Sequence, residues 1–290
     1  MPGEPYFKEI ARDICLSRSW DEPSFIGKGA FKEVYFTKTQ DNFSVALKVF
    51  DPNKCDLCRA EREIAAMQQC KSTFIGKLHD WGVFNYKDSG TFLFMVEEYL
   101  SGGTLTDRMS SIAHDVIKVC EYGIALLKAI SHLRDNTLVH RDIKPDNIMF
   151  RAGADEPVLV DFGLVRDLSG VSLTMTYLQQ GPGTPFFASP EQLNNDKFLI
   201  DWRSDQFSLG VILGICLTGS HPYQQPNQTD IQTVGRVITR ATCSSAFSEK
   251  ANASGFWFLT KMVSPWPIDR FAHPDLIIRE LENAKQEITG

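Results

Sequence analysis

A polar octet between two apolar segments constrains this chain more than any other feature of its sequence. Residues 140–147 read HRDIKPDN; an apolar run with helical spacing at residues 124–133 precedes them, and short strand-like apolar runs follow them. The octet is therefore a loop between a helix and a small hairpin, and Asp161 directly follows the second strand of that hairpin. Because a hairpin brings its two ends together, Asp142, Asn147 and Asp161 are expected to converge on one point. Two carboxylates and one amide suit a hard divalent cation.

Composition and charge narrow the class of protein. The chain has 290 residues, of which 43% are hydrophobic, which is enough for one or two globular lobes with buried cores. A formal net charge of −6 and the lack of a basic run disfavour a nucleic-acid-binding protein, so no nucleic acid partner is expected. The N-terminus lacks the apolar core of a signal peptide, and the most apolar stretch, residues 207–219, is too short to span a bilayer and reads as a buried helix. No membrane partner is expected either.

Cysteine usage indicates the compartment. The chain has 7 cysteines, an odd number without a disulfide pattern, which favours reduced thiols and a cytoplasmic location. Cys55 and Cys58 form a CxxC pair, which together with Cys70 and His79 could imitate a zinc site. A second CxxC or an HxxxH pair is missing, so two incidental thiols near a helix start are the favoured interpretation.

The chain divides into a strand-rich first third and a helix-rich remainder. Residues 1–24 are predicted to form a short N-terminal arm, and residues 25–98 are predicted to form strands around one main helix at about residues 56–69. A serine and two glycines at residues 101–103 end the strand pattern, so residues 99–103 are predicted to be a hinge beside a cleft. Residues 104–290 are predicted to be helical apart from the small hairpin. The predicted fold class is α+β with two lobes.

A glycine loop and a lysine lie within the strand-rich part. Gly27 and Gly29 sit at the turn between the first two strands, where glycines let the backbone approach a phosphate, although a GxG is also a common hairpin. The run VALK ends at Lys48, whose neighbours are apolar. A buried ammonium group needs a partner, which Glu63 on the following helix can supply, with Glu61 the less favoured choice. An ordinary lysine that extends to solvent is the alternative.

Six motifs follow one another in a fixed order: the glycine loop, VALK, the helix glutamate, HRDIKPDN, Asp161-Phe162-Gly163 and Ser189-Pro190-Glu191. In this order they resemble the protein kinase family, and the match runs from about Phe25 to Phe271. The resemblance implies the bilobal protein kinase fold, with a small β-rich N-lobe that carries one main helix and a larger α-helical C-lobe. It also implies ATP and Mg²⁺ as cofactors.

The resemblance assigns catalytic roles to four side chains. Lys48 would hold the α- and β-phosphates while paired with Glu63. Asp142 would accept the proton of the attacking hydroxyl group and direct it at the γ-phosphorus. Lys144 would neutralise charge on the phosphoryl group during transfer, because positioning and electrostatics supply most of the rate in this chemistry.

The resemblance also implies a nucleotide and metal site. Asp161 would bind the Mg²⁺ ion that bridges the phosphates, and Asn147 would bind the second metal ion. Backbone groups of Glu98 and Leu100 would face the purine. The residues placed around the nucleotide are Ile26, Gly27, Gly29, Val34, Ala46, Lys48, Glu98, Leu100, Asn147 and Asp161.

Several positions resemble the serine/threonine branch of the family or its structural framework. Lys144, two residues after the proposed base, and Thr184, directly before a proline, are typical of that branch, and the Thr184 hydroxyl could bridge the lysine and the base. Asp205 resembles the buried helix aspartate that braces the catalytic loop, although a simple helix N-cap is compatible. Glu191 and Arg270 resemble the family's structural ion pair.

The segment between Asp161 and Glu191 contains several hydroxyl-bearing side chains. By resemblance, Arg141 could bind a phosphate group on this segment through bidentate hydrogen bonds. Phosphorylation at Thr174 or Thr176 is therefore expected to raise activity. A chance cluster of loop hydroxyl groups is the alternative.

Three positions depart from the family pattern. Lys32 replaces the third glycine of the loop, where it could attract phosphate, and Ser189 replaces an alanine. Glu97 occupies the position at the back of the adenine pocket, which is usually apolar or threonine. A buried carboxylate there is costly unless it is paired, for which Lys48 is a candidate. We hypothesise that Glu97 weakens the binding of inhibitors that reach past it.

The sequence thus predicts a Mg²⁺- and ATP-dependent protein serine/threonine kinase, regulated by its activation segment, whose partner is a protein with an acceptor hydroxyl group. A pseudokinase that serves as a scaffold or binding module on the same fold is the alternative, although the intact catalytic residues argue against it. A kinase for small molecules is a second alternative. Thr184 and the hydroxyl-rich segment favour a protein acceptor, because they resemble a peptide-docking segment.

Overall fold

The computed structural model describes residues 6–29, 31–53, 57–86, 90–162, 166–167 and 184–289. The chain forms two compact units, one of Met1–Lys71 with Gly76–Ser101 and one of Ser72–Ile75 with Gly102–Gly290. The first unit is rich in strands and the second in helices. The α+β fold class predicted from the sequence is confirmed.

The first unit is built around an antiparallel sheet. Its elements are α1 (Lys8–Ser17), β1 (Ser24–Lys28), β2 (Lys32–Lys38), β3 (Ser44–Phe50), α2 (Leu57–Gln69), β4 (Leu78–Asn85) and β5 (Thr91–Glu98). The strands of this five-stranded sheet lie in the order β1-β2-β3-β5-β4. The main helix predicted at about residues 56–69 is present as α2, and strands precede and follow it within residues 25–98, as predicted.

The two faces of the sheet have different neighbours, because successive side chains of a strand point to opposite faces. On one face, Tyr35, Leu47 and Val96 are fully buried beneath the apolar side of α1, which contributes Ile10 and Ile14. The residues predicted as an N-terminal arm therefore include a helix that completes the core of this unit. On the opposite face lie the residues that the sequence connects with a nucleotide.

A buried carboxylate connects the start of α1 to β2. The Glu33 side chain is fully buried, and it accepts hydrogen bonds from the backbone N–H groups of Tyr6, at 3.0 Å, and Phe7, at 2.9 Å. It also accepts from the Tyr35 hydroxyl group at 2.7 Å and from Lys28 Nζ at 2.9 Å. Burial acts to raise the pKa of Glu33, but these donors outweigh burial and lower that pKa. Since Lys28 lies between the two glycines of the loop, α1 and the glycine loop share one anchor.

The second unit is mainly helical. Its elements are α3 (Leu105–Ile112), α4 (Val116–Asp135), β6 (Leu138–Val139), β7 (Ile148–Phe150), β8 (Pro157–Leu159), β9 (Arg166–Asp167), α5 (Pro190–Leu193), α6 (Trp202–Thr218), α7 (Asp230–Ile238), α8 (Ser245–Ala253), α9 (Phe258–Met262) and α10 (Pro274–Thr289). Strands β7 and β8 form the predicted hairpin, and β6 pairs with β9.

Helix α6 is buried along most of its length, as the apolar run at residues 207–219 predicts. Two of its glycines allow neighbouring side chains to approach closely. A Cβ atom on Gly210 would lie 2.8 Å from Val263 Cγ1, and one on Gly214 would lie 2.9 Å from the Phe247 ring. The helix ends at Gly219, whose φ of 75° closes the helix in the left-handed conformation. Among the described residues, no helix is both long enough and apolar enough to cross a membrane.

Candidate active site

Asp205, near the start of α6, fixes the backbone of the polar octet. The two oxygens of its buried carboxylate accept hydrogen bonds from the backbone N–H groups of His140 and Arg141, each at 2.8 Å. Burial raises the pKa of Asp205 to about 7, and the two N–H donors oppose that rise. Arg141 adopts a φ of 70°, which is unusual for a residue other than glycine, so this turn depends on the bonds that hold it.

Asp142 lies at the centre of a small hydrogen-bonded group. Lys144 Nζ lies 3.0 Å from Asp142 Oδ2, and Asn147 Nδ2 donates to the same oxygen at 2.9 Å and to the Asp142 carbonyl at 2.8 Å. Burial raises the pKa of Asp142 to about 6, while the Lys144 ammonium group lowers it. A carboxylate with a pKa near neutrality is suited to accept and release a proton.

The hairpin of β7 and β8 brings Asp161 back toward the octet. Ile148 pairs with Leu159, and the Val160 N–H donates to the Asn147 carbonyl at 2.9 Å. The negative charge of Asp161 is near enough to contribute to the raised pKa of Asp142. The structure therefore brings together the three side chains that the hairpin length indicates.

Residues in this group have the donor chemistry of a magnesium site. Both hydrogen bonds that the Asn147 side chain makes to Asp142 use its amide nitrogen, which directs its oxygen elsewhere. An amide oxygen and the Asp161 carboxylate are hard ligands of the kind that Mg²⁺ accepts alongside the phosphates of a nucleotide. Among the described residues, no group of three or more His, Cys, Asp or Glu side chains could hold a metal ion. One oxygen ligand each from Asn147 and Asp161 fits a Mg²⁺ ion whose remaining ligands would come from phosphates and water.

In the first unit, Lys48 pairs with Glu97, for which the sequence makes it a candidate partner, and not with Glu63, which the resemblance implies. Lys48 Nζ lies 2.6 Å from Glu97 Oε1, whereas Glu63 Oε1 lies 2.9 Å from Lys32 Nζ. The pairing of Lys48 with Glu63 that the resemblance implies is therefore corrected. The reason is geometric, because Lys32 extends from β2 to the helix carboxylate while Glu97 on β5 reaches Lys48 along the sheet.

The remaining nucleotide positions lie on or beside the same sheet. Val34 pairs with Lys48 across β2 and β3, so both side chains share one face, and Ala46 pairs with Glu97 on that face. The N–H group of Gly29 donates to the Lys32 carbonyl at 2.8 Å and closes the glycine turn. Ile26 is exposed, and no atom lies within 4 Å of where a Cβ atom on Gly27 would be. Leu100 is buried, and the Glu98 N–H group donates to the Lys77 carbonyl.

The framework residues of the second unit form a buried ion pair. Arg270 donates from both terminal nitrogens to the two oxygens of Glu191, at 2.7 and 2.9 Å, and both side chains are fully buried. The Ser204 hydroxyl group donates to the same carboxylate at 2.7 Å. Burial acts to raise the pKa of Glu191, but Arg270 outweighs it and keeps that pKa low. This pair joins α5 to the chain that precedes α10.

Some predicted positions fall outside the described structure. Thr174, Thr176 and Cys55 lie outside the described residues, and of Thr184 only the backbone is described, in a short 3-10 turn. The bridge from Thr184 to the base and the phosphorylation of the activation segment therefore remain predictions.

Two contributors to the site were missed from the sequence. The sequence identifies Lys32 only as a side chain that could attract phosphate, although the alternation of β2 puts it on the same face as Lys48. His140 is fully buried, and its ring contacts the Val160 carbonyl at 3.1 Å and the Phe162 ring at a centroid distance of 5.0 Å. His140 is the first residue of the octet, and its N–H group is one of the two donors to Asp205, but no periodic signal in the sequence marks its ring as buried.

Comparison with known proteins identifies the family. The model of the protein kinase domain matches residues 20–281. The chain is similar to the serine/threonine-protein kinase PknD of Mycobacterium tuberculosis, with 31% identity over 215 residues, which cover 69% of this chain and 29% of that protein. It is also similar to the probable serine/threonine-protein kinase PknB of Bifidobacterium longum, with 32% identity over 74% of this chain and 32% of that protein.

A third relative extends the match along the chain. The probable serine/threonine-protein kinase MARK-C of Dictyostelium discoideum is 29% identical over 288 residues, which cover 97% of this chain and 35% of that protein. The chain thus spans 29% to 35% of the length of these three relatives. On the family match and the geometry of the polar octet, the chain belongs to the protein kinase domain family.

Proposed function

We propose that this protein transfers the γ-phosphoryl group of Mg²⁺-bound ATP to a serine or threonine hydroxyl group of a protein. The observation that carries the proposal is Asp142, a buried carboxylate with a raised pKa that contacts both Lys144 and Asn147. These are the side chains that the chemistry requires in one place, namely a proton acceptor, a cation and an oxygen ligand.

The proposed proton transfer takes place at Asp142. Its pKa of about 6 leaves the carboxylate mainly ionised at neutral pH, so it can accept the proton of an acceptor hydroxyl group and orient that group. Lys144, 3.0 Å from the carboxylate, would place positive charge where the transferred phosphoryl group carries negative charge. Asp205 would keep the backbone of this loop in position through its two hydrogen bonds.

Asn147 and Asp161 would hold the magnesium ions, and Lys48 would hold the phosphates in place. When bound, Mg²⁺ neutralises charge on the phosphates of the nucleotide. Val34 and Ala46 lie on the same sheet face as Lys48, which supports a purine site on this face. The Gly29 N–H group donates to the Lys32 carbonyl and closes the glycine turn, and glycines allow a backbone to approach a phosphate group closely.

A protein acceptor and regulation by phosphorylation are the finer parts of the proposal. The relatives are named serine/threonine-protein kinases, and Lys144 occupies the position typical of that branch. Phosphorylation of Thr174 or Thr176 would raise activity through Arg141. Peptide mapping of fully active protein that finds both threonines unmodified would contradict this regulatory part alone.

The test compares transfer of labelled γ-phosphate by the wild-type protein with transfer by Asp142→Asn. The substitution keeps the shape of the side chain and removes the proton acceptor, so transfer to a generic basic protein is expected to fall by about 10²- to 10⁴-fold. Asp275→Asn makes the same chemical change at an exposed position on α10 and is expected to retain activity. Label in the wild type should be found on serine or threonine.

Three results would contradict the proposal or part of it. Equal transfer by the wild type and Asp142→Asn would remove Asp142 as the base. Nucleotide binding without turnover in the wild type would favour a binding module on the kinase fold. Transfer to hydroxyl-bearing metabolites in preference to proteins would leave the mechanism intact and change the acceptor class.

A further inference from the structure

Four charged side chains from three strands and one helix form a buried cluster in the first unit. Lys32 and Glu63 form one ion pair, and Lys48 and Glu97 form the other. The four side chains are between 2% and 10% exposed, so water screens them little. The cluster therefore holds equal numbers of basic and acidic side chains. The identity of each partner therefore matters more here than on the protein surface.

Sheet register places these charges within reach of one another. Lys48 is opposite Val34 on β2, and Lys32 lies two residues earlier on the same strand, so the two lysines are diagonal neighbours on one face. On the other side of β3, Glu97 is opposite Ala46, two residues before Lys48. The face therefore carries Lys32, Lys48 and Glu97 in a diagonal row.

Glu63 belongs electrostatically to the same cluster. It approaches the row from α2 and contacts Lys32 at 2.9 Å. Burial raises the pKa of Glu97, the ammonium groups of Lys48 and Lys32 lower it, and the Glu63 carboxylate raises it. Glu97 therefore lies within electrostatic reach of both lysines and of the Glu63 carboxylate.

We propose that Glu97 is the positioning residue for Lys48, while Glu63 is held in an ion pair with Lys32. The orientation of Lys48 is then set by the sheet and not by α2. The inference rests on the proposed function for the role of Lys48 toward phosphates, but the pairing itself does not. Glu97 and Lys32 are two of the three positions at which this chain departs from the family pattern. Glu97 is the partner of Lys48, and Lys32 is the partner of Glu63.

Charge balance predicts how substitutions in the cluster combine. Lys32→Met removes one positive charge and leaves two carboxylates competing for Lys48. Glu97→Met removes one negative charge and leaves two lysines for Glu63. In the double variant, one lysine and one carboxylate remain, and Lys48 can pair with Glu63. A buried charge without a partner is far more costly than an apolar side chain of similar size, so the double variant should be more stable than either single variant.

Urea unfolding tests this compensation without any need for activity. Each single variant is expected to lower the folding equilibrium constant by about 100-fold or more, and the double variant to recover to within about tenfold of the wild type. Glu61→Met, on the exposed side of α2, is the matched control and is expected to change stability little. If the losses of the two single variants instead multiply in the double variant, the pairs are independent and the proposal is wrong.

Nucleotide binding tests the positioning role. Glu63→Gln in the Lys32→Met background removes one pair completely and leaves the Lys48–Glu97 pair intact, so the Kd for MgATP should stay within about threefold of the wild-type value. The same substitution in the Lys32→Met/Glu97→Met background removes the last partner of Lys48 and should weaken MgATP binding by about tenfold or more. An equal effect in both backgrounds would overturn the proposal. If the wild type binds no MgATP, the proposed function fails, while the unfolding data still decide the pairing.

Discussion

Removing the Lys144 charge should move the pH dependence of the reaction. In the structure the Lys144 ammonium group lies 3.0 Å from Asp142 Oδ2 and opposes the effect of burial, which by itself raises the pKa of the carboxylate. At that distance and an effective dielectric constant of about 20, Coulomb's law gives an attraction of about 5.5 kcal/mol. The Lys144 side chain is 21% exposed, so solvent screening reduces this to about 2 kcal/mol.

That energy predicts the size of the change. Because about 1.4 kcal/mol corresponds to one pKa unit, Lys144→Met is expected to raise the pKa of Asp142 from about 6 to roughly 7.5. The base must be ionised to accept a proton, so activity falls as the pH drops through this pKa. The pH–rate profile of the wild type should therefore have its acidic midpoint near pH 6, and that of Lys144→Met near pH 7 to 8. The maximal rate of the variant should also be lower.

The assay is kcat/KM for MgATP measured across pH 5 to 9, with excess Mg²⁺ to keep the nucleotide in one ionic form. This parameter reports on groups of the free enzyme. Lys8→Met removes an exposed charge at the start of α1 and serves as the control, with its midpoint expected to stay near pH 6. An acidic midpoint in Lys144→Met that matches the wild type would show that Lys144 does not set the charge state of Asp142, and the reasoning would fail.

Three further predictions concern stability and ligand binding. Arg270→Met leaves the Glu191 carboxylate buried without its cation and is expected to lower the free energy of unfolding by about 3–5 kcal/mol in urea titrations; a loss below 1 kcal/mol would contradict a fully buried pair. Glu33→Gln weakens the anchor of α1, so the backbone amides of Tyr6 and Phe7 should exchange hydrogen about tenfold faster, whereas unchanged exchange would mean that the helix is held by its apolar face alone. Glu97→Thr removes a buried carboxylate, so inhibitors that extend behind the adenine should bind more tightly in calorimetric titrations, and unchanged affinities would refute a role for its charge.

Local pattern was sufficient for most of the architecture and for the group around Asp142. The octet, the hairpin and Asp161 are close in sequence, so the geometry of a short hairpin determines where they meet. The strands of the first unit follow from their alternation of apolar and polar residues. Strands β6 and β9 were not predicted, because two residues are too few to show a period.

The partner of Lys48 could not be derived in the same way. Glu63 and Glu97 are both buried carboxylates on elements that neighbour β3, and sequence spacing does not rank them. Their ranking depends on Lys32, since a lysine in place of a loop glycine provides Glu63 with a different cation. The packing of α1 was missed for a related reason, because an amphipathic segment indicates a buried face without indicating which surface covers it.

The alternation of β2 limits how this protein can change during evolution. Along this strand, Lys32 and Val34 belong to one face of the sheet, while Glu33 and Tyr35 belong to the other. Deletion or insertion of a single codon within β2 would exchange the two sets, so the charge cluster would lose a lysine and α1 would lose its anchor in one event. We therefore expect homologous genes to vary in this strand by substitution, and to accumulate length differences in the turns that precede and follow it.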